Sequence, residues 1–312
     1  MTKHSAARLL LSASLLVFTV GTVGMAAGVE PFHTWYFSFA WWPYIFAVES
    51  MLALRGGASL LFETPRRFAL LLPLSVLLWL VFEAFNFRLG NWHYINLPAS
   101  APLRWAGYCL NFATVLPGLF CTANLLDSLG LFRTATARPL ADATRLYRPM
   151  FLAGAACLLL PTVWPQYFFA LVWGGFVLLL EPLNHSLGGQ SLLADWERGE
   201  PRRTWLLLAA GLVCGGLWEF WNFKAGAKWY YTVPLAGDAR LFEMPVLGFL
   251  GFPPFALECF VMTESCMLLL DRLRVQTPAR RLVIGLAAAA LAVAFSAAVI
   301  DGIDRLVVVS FR

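Results

Sequence analysis

Charge is scarce in this chain. Of its 312 residues, 13% are Asp, Glu, Lys or Arg, and histidine occurs four times. Soluble domains carry about a quarter charged residues, so a water-bathed globule is a poor fit from the outset. No Walker loop is present, and no strand leads into a GxGxxG turn, which argues against a nucleotide-driven pump. The six cysteines fall mainly inside apolar runs without a CxxC pair, and no histidines stand at metal-ligand spacing. They read as small buried hydrophobes, so neither a metal nor a cofactor is expected. No basic run with interleaved aromatics lies on a soluble face, which removes the usual footprint of a nucleic-acid partner. The polar connections are short, leaving no room for a sizeable soluble domain.

What remains is grease. Hydrophobic residues make up 60% of the chain and the mean hydropathy is +0.69. A bilayer core about 30 Å thick takes about 20 residues of helix, and in hydrocarbon the backbone must satisfy its own polar groups. The pattern predicts an all-α integral membrane protein with about nine spans: 9–28, 36–54, 68–86, 107–126, 149–163, 165–183, 204–221, 245–270 and 282–300. Between the fifth and sixth, PTVWPQ reads as a tight turn or a broken helix. With the amino terminus on the cytoplasmic side, 16 of the 23 Lys and Arg collect in the inside segments, as the positive-inside bias requires. The expected location is a bacterial inner membrane. The first span, with its basic start and MAAG end, also fits a signal sequence.

Sliding the chain against itself by 136 residues superposes FEAFNFRLGNWHYINLP on WEFWNFKAGAKWYYTVP. Pro65-Arg66-Arg67 then falls on Pro201-Arg202-Arg203, Glu83 on Glu219, Asn86 on Asn222 and Arg104 on Arg240. Upstream, at a shift of about 131, Trp42 meets Trp173, Glu49 meets Glu181, and Gly56-Gly57 meets Gly188-Gly189. Such matches of rare residue types predict an internal duplication of a four-span unit. An even number of spans puts both copies in parallel orientation, with the interior seam as the place for a site. The expected division is an amino-terminal helix in 1–35, a first repeat in 36–164 and a second in 165–312.

Acids inside hydrocarbon cost free energy unless paired, protonated or facing a wet interior, so each is a candidate by default. Glu49 and Glu181, at cytoplasmic span ends, are expected to meet neighbouring loop arginines. Glu83 with Asn86, and Glu219 with Asn222, stand at i and i+3 on one helix face, where the amide can orient the carboxyl. Each pair reads either as an interhelical polar clamp or as a held catalytic or substrate-binding carboxyl. Glu219 and Glu243 belong near the outer ends of their spans, where they can face each other across a pocket. Glu258, deeper in its span, is the most expensive acid, and burial favours its protonated form, the state a proton donor needs. A neutral carboxyl in a dry aromatic cavity can protonate an alkene, and aromatic faces stabilise the resulting cation.

The stretch FEMPVLGFLGFPPFALE, preceded by WEFWNFKAGAKWYYTVPLAGDARL, resembles the lycopene cyclase domain family, helical membrane domains found in tandem or as paired subunits. The resemblance implies redox-neutral, proton-initiated ring closure of a linear carotenoid end group within the membrane. It implies Glu219, Glu243 and Glu258 as catalytic acids, with Asn222 orienting and Trp218, Trp229 and Tyr231 as walls around the substrate; Glu83 and Asn86 stand beside these as substrate-binding candidates on their own i, i+3 spacing. Two features depart from the family pattern: Glu243 precedes Pro245 instead of following it, and the first copy, RWAGYCLNFATVLPGL, has no acid there. The function expected is a metal-free acid–base cyclase or isomerase acting on a carotenoid or other isoprenoid lipid. The alternative is a non-enzymatic transporter or scaffold bundle with its site at the repeat interface.

Overall fold

A computed structural model describes residues 2–235, 237 and 239–310. Among these, nine helical stretches are long and apolar enough to cross a bilayer: Lys3–Ala26, Tyr36–Arg55, Pro65–Leu89, Ala101–Ser128, Thr144–Val163, Pro165–Ser186, Arg202–Lys224, Val246–Arg274 and Pro278–Val307. The chain is therefore an all-α, multi-span integral membrane protein. The single-helix spans are α1 (Lys3–Ala26), α2 (Tyr36–Arg55), α4 (Pro65–Leu89), α7 (Thr144–Val163), α11 (Arg202–Lys224), α12 (Phe252–Arg274) and α13 (Pro278–Gly302). The fourth span is two helices, α5 (Ala101–Phe112) and α6 (Val115–Ser128). Short helices α3 (Leu60–Glu63) and α10 (Leu192–Glu197) lie at one end of the bundle.

The PTVWPQ junction is a break. Helix α7 stops at Val163, Trp164 leaves helical geometry, and Pro165 opens the four-residue α8 (Pro165–Phe168). Proline is suited to that first position because its missing N–H would find no partner there anyway. The sixth span then continues as α9 (Val172–Ser186), which breaks again at Trp173 and Gly174. Both interrupted spans are stitched from a neighbouring helix. Ser75 of α4 donates to Phe112 O (2.5 Å) and accepts from Leu116 N (3.0 Å) across the α5–α6 joint. Glu258 of α12 accepts from Gly174 N (2.8 Å) and Phe176 N (2.9 Å) at the α9 break. Backbone groups freed inside a membrane protein need such partners, and here side chains supply them.

At the end opposite α3 and α10, two short strands cross over the bundle. Strand β1 (Trp92–Ile95) pairs antiparallel with β2 (Lys228–Tyr231), placing Trp92 opposite Tyr231, His93 opposite Tyr230 and Tyr94 opposite Trp229. Val309 N donates to Tyr94 O (3.0 Å), so the segment after α13 lies along the outer edge of β1. Strands β3 (Arg240–Leu241) and β4 (Met244–Pro245) form a second small hairpin, and a 3-10 turn over Val246–Gly251 leads into α12.

The core is aromatic and runs between α2, α4, α6, α11 and α12. Trp41 of α2 meets Trp218 and Trp221 of α11 at 5.5 and 4.9 Å between ring centroids. Phe82 of α4 stacks on Trp173 at 5.3 Å and meets Phe255 edge-on at the same distance. Helices α1, α7 and α13 bury little of themselves, as bilayer-facing spans do. Helix α1 lies along α2, and α7 along α9.

At the arginine-rich end, Glu49 and Glu181 are engaged differently from expectation. Glu49 accepts from Ser59 Oγ (2.6 Å) and Leu61 N (3.0 Å), and Glu181 from Ser191 Oγ (2.5 Å) and Leu193 N (2.9 Å). Each carboxyl thus ties down the start of a short helix, α3 or α10, whose orphan N–H groups and capping serine sit closer than any loop arginine. The turns before them pass through Gly56 and Gly188 at φ +71° and +73°, a region that L side chains rarely adopt.

Candidate functional site

The signature repeated at residues 82–98 and 218–234 assembles around two carboxyls, and the amide does a different job from the one its spacing suggests. Asn86 makes no bond to Glu83. Its Nδ2 donates to Trp92 O (2.9 Å), and its Oδ1 accepts from Asn91 N (2.8 Å) and Trp92 N (3.3 Å). Asn222 repeats the clamp on Trp229, donating to its carbonyl (2.8 Å) and accepting from its N–H (2.9 Å). A side-chain amide has one donor and one acceptor end, so it can hold both faces of a peptide where a carboxylate cannot. The clamp brings each strand back over its helix end, and the strand's aromatic side chains then reach the acid.

Those aromatic groups supply the donors. Glu83 Oε1 accepts from Tyr94 OH (2.5 Å), Trp79 Nε1 (2.8 Å) and Trp92 Nε1 (3.2 Å), and Trp92 also reaches Oε2 at 3.3 Å. Glu219 Oε1 accepts from Tyr231 OH (2.7 Å), while Trp229 Nε1 is turned to the Tyr231 hydroxyl (2.8 Å). Glu219 Oε2 is buried with no hydrogen-bond partner. Both carboxyls are wholly buried. Burial, then the adjacent carboxyl, push the phenols of Tyr94 and Tyr231 well above the ordinary tyrosine range. Each phenol therefore keeps its proton and acts as a donor toward its acid.

Beside these clusters lies a cavity of about 440 Å³, within the range that binds small ligands. Its walls come from both halves of the chain: Trp79, Trp92, Tyr94, Tyr108 and Phe112 on one side, Trp173, Trp218, Trp229, Tyr231, Phe252 and Phe255 on the other. Glu219 borders it. Glu83 does not, and stands behind the Trp79, Trp92 and Tyr94 wall. Exposed Leu235, Leu247 and Leu250 form part of the rim, so the cavity opens onto apolar surface. Arg104 also lines it, held by Asp304 and by the carbonyls of Pro98 and Ala99.

The three expected acids are not assembled in one place. Glu219 is at the cavity. Glu243 forms an ion pair with Lys228 (2.5 Å), a half-buried residue that lines the cavity. Glu258 is one helical turn beyond Phe255 and gives one oxygen to the α9 break, leaving Oε2 buried without a partner. Trp218, Trp229 and Tyr231 line the cavity, whereas Asn86 and Asn222 hold backbone. Sequence reading passed over Trp79, Trp173, Phe255 and Lys228. Trp79 stands four residues before Glu83 on the same helix face, a spacing that marks it as a partner. Trp173 and Phe255 carry no local signal, because what puts them together is the break in α9.

Other polar residues find local partners. Ser38 donates to Asn111 Oδ1, linking α2 to α5. His185 lies between Tyr147 OH (2.5 Å) and Glu197 Oε2 (3.0 Å), and His93 meets the Tyr230 ring at 5.7 Å. The cysteines among the described residues are free thiols. No family model, curated protein or solved structure matches the chain.

Proposed function

We propose that the protein is a membrane-embedded acid–base cyclase or isomerase of a carotenoid or other isoprenoid lipid, with Glu219 as the acid. The observation that carries this reading is a buried carboxyl with one oxygen free of hydrogen bonds, at the edge of an aromatic cavity that opens on apolar surface. In the proposed cycle, the Glu219 O–H proton adds to a terminal alkene and leaves a tertiary carbocation. The π pair of the next double bond attacks it, closing a carbon–carbon ring bond and moving the cation along the chain. The Glu219 carboxylate then removes a proton from the adjacent carbon, forming the ring alkene and restoring the acid. The product has the formula of the substrate, so no oxidant or reductant is needed.

The faces of Trp79, Trp92, Trp173 and Trp229 suit the cationic stage, since aromatic quadrupoles attract a desolvated cation by about 2 kcal/mol. Glu83, behind that wall with its donors already in place, is a fixed acceptor that positions the tryptophans. Glu243 orients Lys228 at the rim, and Glu258 keeps the α9 break rigid behind Trp173. Asn86 and Asn222 act on the substrate through the strands they hold.

We further propose that the two halves are copies in parallel orientation, with the amino terminus cytoplasmic in a bacterial inner membrane. The β1–β2 register supports this, because Trp faces Tyr on both sides of the central His93–Tyr230 pair, as a pseudo-twofold axis there requires. The matching Glu49–Ser59 and Glu181–Ser191 contacts support it too. Since α1 lies along α2 as α7 lies along α9, we take spans one to four and five to eight as the copies, with α13 the addition. This differs from a boundary at 164/165 with the first helix added.

Product analysis tests the reading. Cells making lycopene and this chain are expected to accumulate cyclised or isomerised product, and Glu219→Gln to lower its yield about a hundredfold or more, the scale of one general acid. Profiles identical to empty vector for both would discard it. The mixed lining of the cavity favours a second reading, a carrier of the same lipid; binding without product would select that.

A further inference from the structure

A second apolar recess lies against the first. It is a groove of about 580 Å³ between α1, α2 and α5, lined by Leu10, Val17, Trp35, Trp42, Phe46 and Leu110 among others. Trp35 borders both spaces. The partition between them is thin. On the cavity side the Trp35 ring lies so close to Gly107 of α5 that a Cβ there would stand 2.7 Å from it. Beside it, Ser38 of the groove bonds Asn111 of the cavity.

The groove runs along α2 from Trp35, the residue it shares with the cavity, to Phe46. From Trp35 to Phe46 along α2 is roughly 16 Å at 1.5 Å per residue. Its polar lining is limited to the Ser14 and Ser38 hydroxyls and the indole N–H groups of Trp35 and Trp42; Ser14 is spent on Leu10 O (2.7 Å), Ser38 on Asn111, and Trp42 on Leu110 O (3.2 Å). An occupant of this groove is thus a flexible or linear hydrocarbon without hydrogen-bonding groups.

Resting on the reading of the cavity as the place where an isoprenoid end group reacts, we propose that the groove holds the unreacted tail of the same molecule. The substrate class is then a long linear polyene, bent over the Trp35 partition. One end lies among Trp79, Trp173 and Trp229, and the remainder lies along α1, α2 and α5. The chain is selected by length as well as by its end group, because a short isoprenoid fills the cavity alone and gains nothing from the groove. The wall that the groove shares with the cavity at Trp35 is what assigns the groove this occupant in preference to a bilayer phospholipid.

Binding, read without turnover, tests the assignment. Purified full-length protein in nanodiscs is titrated with lycopene as the long probe and geraniol as the short one, following quenching of tryptophan fluorescence. Ala106 lines the groove and not the cavity and is exposed, so Ala106→Trp fills the groove on a surface that tolerates bulk. Lycopene affinity is expected to fall about tenfold or more in Ala106→Trp, the equivalent of losing burial of two or so methylenes, with geraniol affinity unchanged. Leu110→Trp, one turn along the same face, is expected to repeat the result and guards against a folding defect in the first variant. Equal lycopene affinity in wild type and both variants overturns the tail site, even if a co-purified phospholipid is lost from the groove. Failure of geraniol to bind the wild type sinks the cavity reading itself, and the tail site with it. Selective loss of lycopene binding in a protein that makes no product keeps the tail site and discards the cyclase.

Discussion

Glu83 and Glu219 occupy matching places in two matching stretches of sequence, yet they are not equivalent. Each sits near the end of a long helix, each is wholly buried, and each is reached by a tyrosine from the strand that follows. Around Glu83 three side chains donate, so both oxygens are engaged. Around Glu219 a single phenol donates, and Oε2 has nothing. The difference has an identifiable origin. Trp79, the donor one turn before Glu83, is replaced 136 positions on by Gly215, where Phe252 packs so tightly that a Cβ would stand 2.2 Å from its ring. The tryptophan of the second strand, Trp229, turns its Nε1 to the Tyr231 hydroxyl, whereas Trp92 turns its Nε1 to Glu83. One stretch holds a carboxyl with both oxygens engaged, and the other a carboxyl with one oxygen unpartnered, the group to which the proposed function gives the proton.

The comparison breaks most easily on stability. Replacing Glu83 with alanine strands three buried donors, at about 1–3 kcal/mol for each, while Glu219→Ala strands one. Thermal unfolding in detergent is expected to show a gap of about 2 kcal/mol or more between the two variants, Glu83→Ala being the worse. Equal losses would erase the distinction. Next come the clamps. Asn86→Ala loses three backbone bonds and Asn222→Ala two, so amide exchange is expected to speed up in both strands, more in β1, at a cost of about 1–3 kcal/mol. The tyrosines sharpen the functional side of the contrast. Tyr94→Phe leaves Glu83 two indole donors, whereas Tyr231→Phe removes the one phenol that donates to Glu219. Product yield is therefore expected to move with Tyr231→Phe and to hold with Tyr94→Phe. The smallest effect concerns the Lys228–Glu243 pair at the rim. Rim ion pairs that keep some contact with solvent contribute about 1 kcal/mol or less, so Glu243→Gln is expected to leave unfolding nearly unchanged, and a hundredfold loss of product there would instead make Glu243 a second acid.

Much of this architecture is legible in the sequence. Hydropathy located each of the nine spans, because a bilayer imposes its thickness directly on sequence. The repeated E-x-x-N followed by W-x-Y marked both carboxyl clusters, and the aromatic walls were drawn in part from Trp218, Trp229 and Tyr231. The roles within the motif were not legible. Spacing places Asn86 beside Glu83 but cannot say that a strand will fold back and claim the amide. Glu258 looked the strongest proton donor because it lies deep in a helix, yet its partner is a pair of N–H groups released by a break at Trp173 and Gly174. Nothing in FALVWGGFV announces a break, since glycine is frequent in membrane helices without one. Glu49 and Glu181 illustrate the same limit: their partners are serines ten residues on, brought near by a glycine turn.

Infrared difference spectroscopy of the carboxyl C=O stretch on adding lycopene is the most direct test of the central claim, that Glu219 is a neutral acid at the wall of an occupied aromatic cavity. The account predicts a protonated-carboxyl band that shifts when the polyene binds and disappears in Glu219→Gln, with Glu83→Gln leaving it in place. A spectrum in which no such band responds to lycopene, or in which the responding band survives Glu219→Gln, would contradict it.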